Sequence, residues 1–134
     1  MERILNYIDG TLTDPASGRW FPNINPSTGS VYSEVPDSGH EDVELAVKAA
    51  SAAFPAWSAM PALSRCIMLE KIASLIERDL DALAKAESVD NGKPVALARR
   101  MDIPRAAENF RFFATAAVHF ASEAHITGEE AVNY

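Results

Sequence analysis

Side chains able to carry covalent or metal chemistry are few in this chain of 134 residues. There is one cysteine, Cys66, and there are three histidines, His40, His119 and His125. A nucleophilic cysteine needs a base within reach and surroundings that favour its thiolate. Cys66 lies instead beside Ile67 and Met68 in an apolar run of helical pattern, where a free cysteine serves as a small buried hydrophobe. The histidines are scattered and lack the i, i+4 spacing of a helical zinc site. Six glycines (Gly10, Gly18, Gly29, Gly39, Gly92 and Gly128) never cluster into a loop that could cradle phosphate. No catalytic and no cofactor-binding residue is therefore expected in this chain.

Charge is what remains. Met101–Arg105 reads MDIPR and sets a guanidinium at the start of a long helix, a group whose fork can hold a carboxylate through two bonds. The structural alternative is an ion pair of Arg105 with Asp102 or with Glu108, three residues on along the same helix. Arg111 is a second candidate for either role. Asp102 is placed to cap the helix that begins at Pro104. Phe110, Phe112 and Phe113 could line an entrance, although an aromatic stripe on a helix more often packs as core.

The elements that position these groups follow from periodicity. Leu5–Ile8 and Thr11–Thr13 read as two strands joined at Asp9-Gly10, a strong hairpin signal. Arg19–Ile24 reads as extended, Asn25–Gly29 as a turn, and Val31–Val35 alternates like a half-buried strand. From Ser38 the period becomes helical. Ser38 and Glu41 form a capping box, followed by Val43, Ala46, Val47, Ala50 and Phe54 on one face, with Pro55 as the stop. A second helix is expected from Pro61 to about Arg78, with Ile67, Leu69, Ile72, Leu75 and Ile76 buried. A third runs from about Leu80 to Val89, before the Asn91-Gly92 turn. Pro104 is expected to push Ile103 out of the helical region and to separate a short segment, 94–101, from the long helix behind it, whose apolar positions Ala107, Phe110, Ala114, Ala117 and Val118 recur at helical spacing. The many small alanines along these helices are expected to let them approach closely. Past His119 the periodicity fades, with Gly128–Glu130 as a loop.

The fold class is thus α+β: an N-terminal β-rich part over 1–36, four or five helices over 38–122, and a loop and the start of a strand over 123–134. The net charge of −7 and the pI near 4.9 disfavour nucleic acid and anionic membrane as partners. No apolar run reaches the roughly 20 residues that cross a bilayer. A lone cysteine fits a reducing compartment, and the expected location is cytoplasmic.

Generic physics does not account for the particular strings. INPSTGSVYSEVP (Ile24–Pro36), EDVELAVKAASAAFPAW (Glu41–Trp57), ESVDNGKP (Glu87–Pro94) and ALARRMDIPRAAENFRFFA (Ala96–Ala114) resemble, in this order, the amino-terminal region of NAD(P)-dependent aldehyde dehydrogenases. The resemblance runs from about Asn6 to the end and is closest to the branch acting on 2-aminomuconic and 2-hydroxymuconic semialdehydes. It implies an N-terminal segment of an α/β enzyme with a Rossmann-like cofactor domain, cut before the nucleotide site and the catalytic cysteine and glutamate. By that resemblance the whole enzyme oxidises an aldehyde to an acid with NAD or NADP. It assembles as a dimer or tetramer, whereas this chain alone binds no cofactor and is inactive. A semialdehyde substrate carrying a carboxylate would suit Arg105 or Arg111. The resemblance also implies a monovalent cation between Asp102 and the backbone near Asn23. The rival reading is a non-catalytic helical module for oligomerisation or interaction.

Overall fold

The computed structural model describes residues 2–120, 124–127 and 131–133. Its first third is β structure built around tight turns. Strands β2 (Asn6–Ile8) and β3 (Thr11–Thr13) form the expected antiparallel hairpin, with Ile8 opposite Thr11. Asp9 and Gly10 both take positive φ at its tip, the backbone that matches the twist of the flanking strands. Strands β4 (Trp20–Asn25) and β5 (Ser30–Pro36) pair antiparallel across the Asn25–Gly29 turn. Asn25 Oδ1 accepts the Ser27 N–H at 2.9 Å, and the Asn25 carbonyl accepts the Gly29 N–H at 2.8 Å. Strand β1 (Glu2–Arg3) adds to the other side of β5 in parallel, giving the order β1-β5-β4. Arg3 holds it there, bonded to Glu34 at 3.0 Å and lying 4.5 Å over the Trp20 ring. Two residues carry no periodicity, so the sequence gives no sign of β1.

Five helical segments follow: α1 (His40–Ala59), α2 (Ala62–Arg78), α3 (Leu80–Asn91), α4 (Val95–Leu97) and α5 (Ile103–His119). The cap of α1 is Gly39 rather than Ser38. Asp42, not Glu41, closes the box, accepting the Gly39 N–H at 2.8 Å. Ser38 instead pairs its hydroxyl with the Asn6 amide at 2.9 Å, so a contact with β2 outbids the local cap. Pro55 does not stop α1, which runs on to Ala59. Residues 51–58 are all exposed, so the carbonyl that loses its donor at Pro55 can be solvated. The helix ends where Met60 turns extended, and Arg65 Nη1 takes up its last carbonyls, Ser58 O at 3.1 Å and Trp57 O at 3.3 Å. Trp57 lies in that last turn.

Pro104 also behaves differently from expectation. Ile103 keeps helical angles (φ −71, ψ −44), and Ala98–Asp102 forms a π turn that joins α4 to α5 without a break. A proline inside a helix offers no N–H and its ring crowds the carbonyl four residues back, here that of Arg100. The chain relieves this by widening one turn, and the Ile103 N–H reaches the Ala98 carbonyl five residues back.

The core is made of small residues. Ala73, Ala84, Ala98, Ala107 and Ala114 are fully buried, and among the described residues of the helices the one larger apolar side chain that joins them is Ile103, at 9% exposed. Side chains of one carbon let α2, α3 and α5 approach closely. The stripe expected on α2 is buried only in part: Leu69 and Ile76 are half-buried, Ile76 against the core, while Ile67 is 62% exposed and Ile72 and Leu75 are also open. On α1, Val43, Val47 and Phe54 face outward and Asp42 is the buried residue. The close approach of α2, α3 and α5 is made by the small alanines expected to allow it, Ala107 and Ala114 on α5 among them.

Near the end, β6 (His125–Thr127) and β7 (Ala131–Asn133) pair antiparallel, where a loop and one strand start were expected. The loop placed at Gly128–Glu130 lies outside the described residues.

Candidate functional site

The polar groups gather where α3 ends against the β4–β5 turn. Gly92 closes α3 in the left-handed conformation, φ +79, and lies so close to the turn that a Cβ there would stand 2.9 Å from Pro26 Cγ. Only glycine satisfies both demands. Ser27 Oγ donates to the Gly92 carbonyl at 3.4 Å. Just before it, Tyr32 donates its hydroxyl to Asp90 Oδ1 at 2.7 Å, and the Asn23 amide donates to both, at 2.8 and 3.2 Å. The Tyr32 bond, then the Asn23 bond, holds the Asp90 carboxyl below its ordinary range, and the same carboxylate pushes the Tyr32 hydroxyl up. This knot borders a hollow of about 600 Å³ between β5 and α3, with Ile4, Leu83, Val89 and Ile103 among its walls.

Past Gly92 the chain turns by Asn91 Oδ1 accepting the Lys93 N–H at 2.9 Å. Lys93 Nζ then reaches Asp102 Oδ2 at 2.6 Å, both side chains about one third exposed. Asp102 therefore does not cap α5; it is itself helical and makes no capping bond. A cation was expected between Asp102 and the backbone near Asn23; the side chains of the two residues engage different partners. Lys93 already supplies a positive charge to Asp102, and the Asn23 side chain turns its donor NH₂ to Tyr32 and Asp90. Lys93 takes Oδ2 of the Asp102 carboxylate, and no bond to Oδ1 is present among the described residues.

The two arginines separate cleanly. Arg111 makes two bonds to the Glu77 carboxylate, Nη1 to Oε1 and Nη2 to Oε2, the second at 2.7 Å, and its Nε lies 3.4 Å from Glu70. The pairing depresses the Glu77 carboxyl and raises the Arg111 guanidinium. Arg105 is exposed and makes no ion pair with Asp102 or Glu108; among the described residues it has no hydrogen-bonding partner. Phe112 and Phe113 meet edge to face at 5.1 Å on the outer side of α5, both 64% exposed, so they are not core.

Cys66 is half-buried in α2. His40 opens α1 beside Glu44 at 3.8 Å, and His119 ends α5 in an exposed position. Among the described residues no group of three or more histidine, cysteine, aspartate or glutamate side chains could hold a metal, and no helix is long and apolar enough to cross a membrane. Sequence reasoning missed Lys93 and the Tyr32–Asp90 pair. The partners are nine and 58 residues apart, separations that no helical or strand period connects.

The chain matches the aldehyde dehydrogenase family over residues 12–134. It is 48% identical over 118 residues to the 2-aminomuconic semialdehyde dehydrogenase of Homo sapiens, covering 88% of this chain and 24% of that one. Acetaldehyde dehydrogenase 2 of Cupriavidus necator is 45% identical over 109 residues, covering 81% and 22%. Among solved structures, PnpE in complex with nicotinamide adenine dinucleotide superposes with a TM-score of 0.87 at 36% identity, covering 96% of this chain and 26% of that one. The NAD+ complex of the aldehyde dehydrogenase from Bacillus cereus gives 0.87 at 32%, covering 98% and 27%. The chain spans about a quarter of the length of the curated relatives it matches.

Proposed function

The chain belongs to the aldehyde dehydrogenase family, and from that membership we propose that it is the N-terminal part of an enzyme oxidising a carboxylate-bearing semialdehyde. In that reaction the aldehyde and water become the carboxylic acid, and a nicotinamide nucleotide, NAD or NADP, accepts the hydride while a proton is released. The observation that carries the reading is the 48% identity to a semialdehyde dehydrogenase. Arg105 supports the carboxylate, because its guanidinium is exposed and uncommitted and can take a planar anion through two bonds. Arg111 could serve only by giving up Glu77. A monovalent cation between Asp102 and the backbone near Asn23 is proposed as part of this reading, sharing the carboxylate whose Oδ2 Lys93 engages, and no step is routed through it.

The rest of the chemistry lies with groups this segment does not carry. Cys66 is half-buried in the α2 helix, and no glycine-rich phosphate loop is present in the sequence. The 134 residues by themselves are therefore proposed to be inactive and to bind no nucleotide. The partners proposed are the remaining three quarters of an aldehyde dehydrogenase chain and further copies of the enzyme. A helical interaction module is the second reading, favoured by the many large apolar side chains left exposed on α1, α2 and α5. The mass of the native product, with NAD(P)H formation on a semialdehyde, separates the two. A polypeptide about four times longer that reduces the nucleotide supports the enzyme; a stable 14.5 kDa species inert towards aldehydes supports the module.

A further inference from the structure

We infer that Lys93, acting through Asp102, sets the rotational phase of α5 and so the direction in which Arg105 presents its guanidinium; this rests on the carboxylate-bearing substrate proposed above. Ile103, Ala107 and Ala114 are the buried positions of α5, spaced by four and seven, and together they define its inward face. Arg105 stands two residues after Ile103 and two before Ala107, on the opposite side of the helix. Arg111, one turn past Ala107, is held by Glu77 and Glu70 on α2. The phase of α5 thus commits one arginine to packing and leaves the other open.

That phase depends on the π turn. A wide turn holds one residue more than an α turn, and one residue is about 100° of rotation. Were Ala98–Asp102 to tighten to an α turn, α5 would rotate relative to α3 and carry Arg105 away from its present side. Two features oppose this. Pro104 lacks the N–H that the tighter turn would use, and Lys93 holds the last π residue, Asp102, at 2.6 Å. Lys93 is in turn fixed at its own backbone by Asn91 and sits directly after Gly92, which is docked on the β4–β5 turn. The ion pair therefore refers α5 to the sheet as well as to α3. Lys93 and Asp102 are positioning residues and touch no substrate.

The test uses the full-length enzyme that carries this segment and follows NAD(P)H formation with succinic semialdehyde and with butanal. Lys93→Met is expected to raise the KM for succinic semialdehyde relative to butanal about tenfold, the worth of one charge-assisted bond, with the ratio of the two kcat values unmoved. Lys93→Arg should restore the wild-type KM ratio. Pro104→Ala, which returns an N–H to the turn, should shift the ratio in the same direction as Lys93→Met and decides the matter if Lys93→Met does not fold. A wild-type enzyme that discriminates between the aldehydes while both Lys93→Met and Pro104→Ala leave the KM ratio unchanged overturns the inference alone. A wild-type enzyme indifferent to the carboxylate overturns the substrate class and the inference with it.

Discussion

Two regions of this molecule satisfy their side chains in opposite ways. At the joint of β4, β5 and the end of α3, nearly every polar group has a partner within the chain, and Gly92 fits where a methyl group would collide with Pro26. On α1, by contrast, Val43, Leu45, Val47 and Phe54 are at least half exposed. Burying such a side chain contributes about 1.5–3 kcal/mol, a contribution that α1 does not collect within these residues. The joint is closed chemistry and α1 is open surface. The difference says which parts of the segment can be judged by its own contacts and which wait for others.

The sharpest way to break the comparison is Gly92→Ala. Positive φ and a 2.9 Å approach together should cost about 2–3 kcal/mol, which a shift in denaturation midpoint would reveal. A cost under about 0.5 kcal/mol, the level of an ordinary surface substitution, would show that the joint is not close-packed.

Next comes acid. Asp42 accepts the N–H groups of Ala16 and Gly39, each at 2.8 Å, while Asp90 and Glu77 are held by Tyr32 and Arg111, and all three carboxyls are depressed. A carboxyl depressed in the folded state stabilises it above the unfolded pKa, near 4, and loses that stabilisation as pH falls through the folded value. Stability should therefore be flat from neutral pH to about 5 and fall below 4. In Asp90→Asn that acid fall should be shallower, by a margin read from denaturation midpoints across the pH range. An equal slope in wild type and variant would remove Asp90 from the account.

The smallest effect on folding belongs to α1. Phe54→Ser and Val47→Ser should each change stability by less than about 0.5 kcal/mol, as surface substitutions do. The same changes should weaken self-association of the isolated segment, measured by light scattering. A large stability loss would mean that the α1 face is already covered within this chain.

The contrast also explains what could be read from the residues in advance. Asp9-Gly10 and Asn91-Gly92 were legible because a left-handed backbone needs particular residues and leaves them in the string. The helices on either side of Gly92 were legible for the same reason, and that behind Pro61 because proline's fixed φ suits a helix start. Pro55 and Pro104 misled because a proline signals a boundary only when the chain has no cheaper response; here solvent at one and a π turn at the other supplied it. The alanines of the core, Ala107 and Ala114 among them, were legible from helical spacing, whereas the large side chains of α1 and several on α2 misled because hydrophobic periodicity ranks them above alanine. At the candidate site, the exposure of Arg105 depends on the phase of α5, and Lys93–Asp102 joins residues across a turn. Both are facts of three dimensions with no repeat in one.

The alanine core has a one-sided tolerance. Wearing a core away by truncation requires methylenes to remove, and Ala73, Ala84, Ala98, Ala107 and Ala114 offer none. Beyond the roughly 1 kcal/mol that Ala→Gly costs a helix interior, damage to these helices comes from growth, since each added carbon at those five positions crowds the neighbouring element. A lineage drifting through random substitution would therefore find the inside of this segment nearly frozen in size, while its outer apolar face is free to change shape with whatever it meets.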